Sequence, residues 1–266
     1  MEGSKSEADI EKERFQFGEN WSKYLRHLEP DRILEAEKSL LEMFELQEFN
    51  NQSFLDAGCG SGLFSLAARN LGARVFSFDS DGGSVRCAEK LKDRFYGNDE
   101  KWQIELGSVL NHRFLKEIGK YDLVYCWGVL HHTGAMFEGL QQILLTVKPQ
   151  GKIFISIYNN QGFFSRYWSL VKRTYVRYPL TRPFFILLHT VYPLLPSLAF
   201  KTLRKEKVPR GMSAWYDLLD WLGGYPFETS TVSYIFDFFK AKGFQLEKIK
   251  TVGGKHGCNE FVFRKD

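Results

Sequence analysis

Glycine at alternate positions marks the first stretch of the chain that could do chemistry. Residues 54–63 read FLDAGCGSGL, an apolar run that ends in Asp56 and is followed by Gly58, Gly60 and Gly62. Glycine has no Cβ, so the backbone can turn sharply there and a ligand can approach main-chain atoms closely. A strand that passes through such a loop into a helix is typical of nucleotide-binding sites. The pattern by itself does not identify the nucleotide.

Two carboxylates flank the loop and narrow what it could bind. Asp56 lies directly before it, and Asp79 follows a second apolar run, RVFSF at 74–78, with Ser80 next to it. A carboxylate at the end of the second strand is placed to accept hydrogen bonds from both hydroxyls of a ribose. The loop spacing is GxGxG, with Leu63 where the dinucleotide fingerprint GxGxxG has its third glycine. The alternatives are a simple tight turn for the glycines and a helix cap for Asp79.

Two adjacent histidines, His131 and His132, are the candidates for acid–base chemistry. They follow a further apolar run, Tyr121–Trp127, at the edge of the sheet where ligands bind in such folds. Histidine titrates near neutral pH and is suited to act as a general base. If both contribute, we expect one to be the base and the other to support the loop. The alternative is that they only hydrogen-bond the loop or pack beneath a ligand.

Polar residues at two further strands are candidates for orienting a substrate. Tyr158 and Asn159 end the apolar run KIFISIY, and Asn259 and Glu260 interrupt a late apolar run. No group of residues has the spacing of metal ligands, since adjacent histidines point in different directions and no carboxylate accompanies them. The cysteines are scattered without a CxxC pair, which indicates neither a zinc site nor a disulfide framework. We therefore predict no metal.

Apolar runs that alternate with amphipathic segments predict the elements that position these residues. Helices are expected at about 30–44, 64–71, 83–95, 136–147 and 230–242, and strands at about 54–56, 74–78, 102–106, 121–127, 152–158, 244–252 and 259–264. The early strands alternate with helices, which is typical of parallel pairing. The last two strands are joined by a connection too short for a parallel crossover. The predicted fold is α/β: a doubly wound, seven-stranded, mostly parallel sheet with an antiparallel last strand and a helical insertion after strand five.

Taken together, the motifs LDAGCGSG, FDSD, YDLVYCWGVLHH and KPQGKIFIS and the closing hairpin resemble a class I S-adenosylmethionine-dependent methyltransferase. The resemblance covers roughly residues 50–160 and 228–266, and it is greatest to the small-molecule methylases of ubiquinone biosynthesis. It implies a Rossmann-like fold with S-adenosylmethionine as cofactor and S-adenosylhomocysteine as product.

The resemblance also implies roles for individual residues. Asp56 and the loop glycines would face the methionine part of the cofactor, Asp79 would hold the ribose, and Ser80 would also bind the cofactor. Ser108 and Val109 would flank the adenine, and Cys126 and Trp127 would lie beneath the sulfonium. Methyl transfer is an in-line displacement, so the enzyme would mainly align the nucleophile, the methyl group and the sulfur in a dry pocket.

Charge is distributed unevenly along the chain. Residues 160–212 carry ten Lys and Arg against one acid, Glu206, a net charge of +9 within a total of +4, which leaves −5 for the remainder. We therefore expect an N-terminal tail and helical arm at 1–49, a core at 50–160 and 228–266, and an inserted basic and aromatic cover at 161–227.

The most apolar part of the insertion is PFFILLHTVYPLLPSLAF at 183–200. Its length is close to that of a bilayer span, but Pro193, Pro196 and its place inside a soluble domain argue against spanning. Three interpretations stay open: a helical lid over a small substrate, a peripheral membrane contact that gives access to a lipid or a prenylated quinol, and an RNA-binding surface. The long aliphatic stretch argues against nucleic acid, since a phosphate backbone makes no use of it.

The expected function is S-adenosylmethionine-dependent methylation, at oxygen, of a small or lipophilic molecule such as a quinol-like compound, a lipid or a sugar. The alternatives are an RNA methyltransferase and a cofactor-binding protein without activity that acts through a partner. The charged N-terminal sequence MEGSKSEADIEKER has no apolar h-region. Together with the scattered cysteines it predicts a cytoplasmic protein, with peripheral membrane contact as the option that the insertion adds.

Overall fold

The computed structural model describes residues 29–189 and 221–266. The strands are β1 (Ser53–Ala57), β2 (Arg74–Asp79), β3 (Trp102–Leu106), β4 (Tyr121–Cys126), β5 (Val147–Tyr158), β6 (Phe244–Lys250) and β7 (Cys258–Lys265). The α-helices with defined ends are α1 (Pro30–Phe44), α2 (Leu63–Asn70), α3 (Gly82–Phe95), α4 (His112–Glu117), α5 (Met136–Ile143), α6 (Phe163–Arg177) and α7 (Val232–Lys240). A further helical segment covers 182–189.

The strands form a seven-stranded sheet in the order β3-β2-β1-β4-β5-β7-β6. Pairing is parallel from β3 through β5, whereas β7 runs antiparallel to both β5 and β6. The predicted fold class is therefore confirmed, including the antiparallel last strand. After β1 the chain adds β2 and β3 on one side of β1 within the sheet, and it then adds β4 on the other side of β1, so the strand order reverses there. Ligands of doubly wound sheets bind beyond the carboxyl ends of the strands at such a reversal.

Helices cover both faces of the sheet, so its central strands are buried on both sides. Phe54 and Leu55, neighbours on β1, lie in different hydrophobic clusters because successive side chains of a strand point to opposite faces. Helices α4, α5 and α7 contribute to the cluster around Leu55, and α1, α2 and α3 contribute to the cluster around Phe54. This two-sided core holds the ends of β1, β2 and β4 in fixed positions.

The first described helix, α1, shows how local sequence determines an element. Pro30 occupies its first turn, where the backbone N–H has no partner within the helix, so the N–H that proline lacks costs no hydrogen bond. Glu45 ends the helix with a left-handed φ of 55°. Apolar residues at helical spacing make its buried face: Ile33, Ala36, Leu40, Met43 and Phe44.

The sequence gives wrong boundaries around residue 147. The helix predicted at 136–147 stops at Ile143, and β5 begins at Val147 instead of at 152. Val147 pairs with Tyr121 of β4, so the segment KPQG lies within the strand, where Gln150 takes a left-handed φ of 61°. Pairing with β4 has extended the strand through a Pro/Gly segment that the sequence predicts to be a connection. The short helix α4 was not predicted.

Within the described residues the chain divides into two compact units. The sheet unit comprises 29–161 and 228–266, and the inserted unit comprises 162–189 and 221–227. The division predicted from the sequence stays a prediction, because most of its N-terminal arm and a large part of its cover lie outside the described residues.

In the inserted unit, α6 packs Val171 and Tyr175 against Leu222. Among the described residues, no helix is both long enough and apolar enough to cross a bilayer. The apolar segment predicted at 183–200 lies within the described residues only as far as 189.

A buried lysine also lies in the inserted unit. The Lys172 Nζ is 3.6 Å from the ring centroid of Trp221 and 5.0 Å from that of Phe227, and it donates to the Trp221 carbonyl. Burial lowers the pKa of Lys172 to about 7. The aromatic faces and the carbonyl replace water around this ammonium.

Candidate active site

The glycine loop connects β1 to α2 through left-handed backbone. Gly58, Gly60 and Gly62 have φ values of +79°, +54° and +81°. A Cβ on Gly58 would lie 2.3 Å from Cγ2 of Val129, so only glycine lets this loop approach the loop that follows β4. The contact joins the glycine loop to a residue two positions before His131.

Asp79 links β2 to the same loop. Its Oδ2 accepts a hydrogen bond from the Gly60 N–H at 2.9 Å, and its Oδ1 accepts one from the Asp81 N–H at 2.9 Å. The helix cap suggested as an alternative for Asp79 belongs instead to Asp81, whose side chain accepts from the Gly83 N–H at 2.8 Å. Asp79 is half-buried and Ser80 is exposed at the carboxyl edge of the sheet.

Asp56 ends a buried chain of hydrogen bonds. Ser65 Oγ donates to Asp56 Oδ2 at 2.5 Å, Ser65 and Ser77 share a 2.7 Å bond, and Trp102 Nε1 donates to Ser77 Oγ at 2.9 Å. The pKa of Asp56 is raised to about 7, chiefly by burial and in part by the Asp79 charge, while the bonds from Ser65 oppose the rise. Ser65, Ser77 and Trp102 were not predicted to belong to the site. A signal was available, since small hydroxyls in two otherwise apolar buried segments need partners.

The predicted adenine residues follow β3. The Ser108 Oγ accepts from the Leu110 N–H at 3.2 Å, so Ser108 forms a turn, and Val109 packs into the core. The Gly107 N–H donates to the Asp79 carbonyl at 2.9 Å, which joins this turn to the end of β2. The structure therefore brings the turn and the predicted ribose carboxylate together.

Cys126 and Trp127 end β4 at the same edge. Cys126 is completely buried, and burial raises the pKa of its thiol, which keeps it neutral. Trp127 is half-buried, and its Nε1 donates to Glu260 Oε1 at 2.8 Å. This bond fixes the plane of the Trp127 indole at the carboxyl end of β4.

His131, His132 and Tyr158 form a cluster of rings. The ring centroids of His131 and Tyr158 are 4.0 Å apart, and those of His132 and Tyr158 are 5.5 Å apart. The histidines occupy a single 3-10 turn, in which His131 is buried and His132 is half-buried. The adjacent Gly128 has a φ of +76°, and a Cβ added there would meet no atom within 4 Å. The backbone at Gly128 therefore borders open space beside the histidine turn.

Glu228 holds the histidine turn and was missed by the sequence analysis. Its N–H donates to the His131 carbonyl at 2.9 Å, and both of its carboxylate oxygens lie 3.1 Å from the Met136 N at the start of α5. Burial raises the pKa of Glu228, and bonds from Met136, Gly134 and Thr133 oppose the rise. No motif surrounds Glu228, so only the folded chain reveals the contact.

Asn159 is hydrogen-bonded to residues of the β6–β7 hairpin. Its Nδ2 donates to the Lys255 carbonyl, and its Oδ1 accepts from Asn259 Nδ2, both at 3.1 Å. Asn259 Oδ1 in turn accepts from the Val252 N–H at 3.1 Å. These amides hold the loop between β6 and β7, and a role of Asn159 in binding substrate stays a prediction.

The carboxylates at this end of the sheet suit the cofactor that the resemblance implies. A buried carboxylate, Asp56, is available for an ammonium group, and Asp79 at the end of β2 is available for a diol. Gly128, which precedes the histidine turn, borders open space. Among the described residues, no cluster of His, Cys, Asp and Glu could hold a metal ion.

A family model described as a methyltransferase domain matches residues 24–200. Among curated proteins, the ubiquinone biosynthesis O-methyltransferase of Pelagibacter ubique is 25% identical over 141 residues, which are 52% of this chain and 56% of the relative. The chain spans about half the length of the curated relatives it matches.

Solved structures share the fold at low sequence identity. The 1,6-didemethyltoxoflavin-N1-methyltransferase of Burkholderia thailandensis, with bound S-adenosylhomocysteine, aligns with a TM-score of 0.55 at 14% identity and covers 100% of this chain and 93% of its own. Magnesium protoporphyrin IX methyltransferase of Synechocystis PCC 6803 aligns with a TM-score of 0.54 at 13% identity over 88% of this chain and 83% of its own. At such identities the likeness concerns the fold.

Proposed function

Because the chain belongs to the methyltransferase-domain family, we propose that it transfers the methyl group of S-adenosylmethionine to an oxygen atom of a small or lipophilic molecule. One observation carries the proposal. The close approach of Gly58 to Val129 joins the loop expected to hold the cofactor to the turn that carries both histidines. A site for a methyl donor and a site for a proton acceptor are thereby adjacent.

The cofactor would be held by residues at the ends of β1, β2, β3 and β4. S-adenosylmethionine, when bound, supplies an electrophilic methyl group on a sulfonium. Asp56 would face the ammonium of its methionine part, and Asp79 would accept from the ribose hydroxyls. The loop glycines, Ser80, Ser108, Val109, Cys126 and Trp127 would make up the rest of the site. The neutral Cys126 thiol and the Trp127 indole offer an apolar, water-excluding floor, which favours a reaction that removes charge.

His132 is the better placed of the two histidines to act as the base. A general base must reach the proton that it removes, and His132 is half-buried whereas His131 is buried against Tyr158. We therefore assign proton removal from the acceptor hydroxyl to His132. His131 and Tyr158 would fix the orientation of the His132 ring, which lies 4.6 Å from that of His131.

The acceptor is proposed to be quinol-like or otherwise lipophilic. Relatives such as the Pelagibacter ubique protein are named ubiquinone biosynthesis O-methyltransferases, which supports an oxygen acceptor. The apolar and aromatic composition of the inserted unit suits a lipophilic molecule.

Methyl-labelled S-adenosylmethionine and fractionated cell extract test the proposal. We expect label to enter the lipid or polar-metabolite fraction, and to be lost with His132→Ala. Entry of label into RNA would instead support an RNA methyltransferase. No transfer to any fraction, with intact binding of S-adenosylhomocysteine, would support a cofactor-binding protein without activity.

A peripheral contact with an anionic membrane is proposed for the inserted unit. Phe163, Leu170 and Leu180 are 76%, 64% and 96% exposed. Exposed arginines accompany them, and residues 160–189 contain no Asp or Glu. Exposed aromatic and aliphatic side chains beside arginines are typical of segments that lie in the interface of an anionic bilayer.

Flotation with vesicles tests the membrane contact. The protein should float with phosphatidylcholine vesicles that contain phosphatidylglycerol and stay at the bottom with phosphatidylcholine alone. Leu180→Glu should reduce flotation, whereas Leu34→Glu, at a half-exposed position of α1 in the sheet unit, should not. Binding to single-stranded RNA without flotation would favour a nucleic-acid surface instead.

A further inference from the structure

We propose that Ser65, Ser77 and Trp102 form a directed hydrogen-bond relay that keeps Asp56 ionised and oriented toward the ammonium group of the cofactor. This inference rests on the proposed function, because it concerns the same cofactor site. The three residues would be positioning residues that act through Asp56.

The direction of the relay follows from its donors. An indole N–H can only donate, so Ser77 Oγ must accept from Trp102 Nε1. An ionised carboxylate can only accept, so the single hydroxyl proton of Ser65 goes to Asp56. The bond between the two serines must then be donated by Ser77. The hydroxyl protons of Ser65 and Ser77 therefore both point along the relay toward Asp56, and this direction stabilises a negative charge on Asp56.

The relay is rigid and dry. Asp56 is 1% exposed, and Ser65, Ser77 and Trp102 are 0% exposed. Ser77 on β2 is the register partner of Asp56 on β1, while Trp102 begins β3 and Ser65 lies in α2. Water is therefore replaced by fixed donors from three further elements, and a buried charge depends on such donors.

The groups that face Asp56 determine how its charge responds to pH. Asp79 at the end of β2 is negative and opposes ionisation of Asp56. The thiols of Cys59 in the glycine loop and Cys126 on β4 also interact with it, but burial raises the pKa of both thiols and keeps them neutral. The ionised form of Asp56 is favoured by its hydrogen bonds from Ser65.

An ionised Asp56 attracts an ammonium group, and a protonated one does not. Because burial raises the pKa of Asp56 to about 7, a small change in the relay alters the ionised fraction near neutral pH. A cation bound beside Asp56 would lower the pKa again, so binding near neutral pH should release a proton.

Calorimetric titration with S-adenosylhomocysteine from about pH 5.5 to about pH 8.5 tests the relay. In the wild-type protein, affinity should fall as the pH drops below the midpoint, by up to about tenfold per pH unit. Ser65→Ala should move the midpoint up by about one pH unit, and at neutral pH the dissociation constant should rise several-fold. Ser77→Ala should cause a smaller shift in the same direction. At high pH both variants should approach the wild-type affinity.

The convergence at high pH separates positioning from a structural defect, which would weaken binding at every pH. Thr146→Val is a matched control, because Thr146 is completely buried and its hydroxyl donates to the Ile143 carbonyl at 2.7 Å, outside the relay. Its pH profile should equal that of the wild type. Asp56→Asn should flatten the profile.

The outcomes distinguish the relay from the proposed function. A wild-type midpoint in Ser65→Ala and Ser77→Ala, or equal weakening at all pH values, would overturn the relay and leave the cofactor site standing. A profile that still bends in Asp56→Asn would assign the titration to another group and overturn the relay. No binding by the wild-type protein at any pH would overturn the proposed function itself.

Discussion

Hydrogen bonds in the two halves of the candidate site span very different lengths of chain. The cofactor side comprises the ends of β1, β2 and β3 with α2. Its bonds join residues 9, 19 and 25 positions apart: Ser65 to Asp56, Gly60 to Asp79, and Trp102 to Ser77. One contiguous stretch, 53–106, therefore supplies these contacts.

The acceptor side comprises the histidine turn, the end of β5 and the loop between β6 and β7. Its bonds join residues 92 and 100 positions apart: Met136 to Glu228, and Asn259 to Asn159. This side exists only once residues 228–266 have joined the sheet. We therefore expect substitutions on the cofactor side to change the affinity for the cofactor, and substitutions on the acceptor side to change turnover.

The largest expected effect lies on the acceptor side. His132→Ala should lower turnover by about 10²- to 10³-fold, because a positioned base contributes roughly that much, and should leave the affinity for S-adenosylhomocysteine unchanged. Single-turnover rates and calorimetry measure the two quantities. His112→Ala is the matched control, since His112 is exposed and bonds Gln142. Equal, wild-type rates for His131→Ala and His132→Ala would mean that alignment alone suffices.

The next effect lies where the two sides touch. Gly58→Ala should lower the free energy of unfolding by about 3 kcal/mol, because the new Cβ would clash with Val129 and the φ of +79° is unfavourable for alanine. Gly254→Ala is the matched control, since Gly254 has the same φ of +79° but nothing within 4 Å, and it should cost about 1 kcal/mol. Chemical denaturation measures both. Equal losses in the two variants would show that strain, and not the contact between the loops, requires glycine at 58.

The same contrast explains how far the sequence could predict the site. The cofactor side is encoded locally: Asp56, the alternating glycines and Asp79 lie in one segment whose spacing indicates a strand, a loop and a helix. Its polar relay was missed because serine in an apolar run does not reveal its partner.

On the acceptor side, the histidines are proposed from the sequence because they follow a strand within a few residues, and their role stays a prediction. Glu228 was missed because its bond to Met136 spans 92 residues, and no periodicity records such a contact. Helix and strand types were predicted well, whereas the start of β5 was wrong because strand pairing determines it.

On the cofactor side, Asp79→Ala should weaken binding of S-adenosylhomocysteine about thirtyfold. It removes both the proposed ribose acceptor and the partner of the Gly60 N–H, and a charged hydrogen bond contributes about 1.5–3 kcal/mol. Asp122→Ala is the control, because Asp122 bonds Ser53 and Lys148 at the amino-terminal ends of the strands, away from the cofactor side. It should lower stability without changing affinity. An unchanged dissociation constant in Asp79→Ala would refute the ribose assignment.

The smallest expected effect concerns Glu228 and separates its charge from its hydrogen bonds. Burial raises the pKa of Glu228 in the folded state, so folding favours the protonated form. The stabilisation that this provides is complete below the pKa of the unfolded chain, about 4.3, and is lost as the pH rises through the folded pKa. Glu228→Gln removes this dependence and keeps one oxygen to accept from the Met136 N–H. Its thermal stability relative to wild type should therefore increase between pH 4 and pH 8.

Glu228→Ala removes the acceptor as well as the charge. It should lower the free energy of unfolding by about 1 kcal/mol, the usual cost of losing a cap at a helix N-terminus. It should also reduce turnover several-fold, since the carboxylate no longer accepts from Thr133, Gly134 and Met136, which directly follow the histidines, while cofactor affinity should not change. If Glu228→Ala and Glu228→Gln reduced turnover equally, the charge of Glu228 would matter for the reaction. In that case the acceptor side would contain an ionisable group beyond the two histidines.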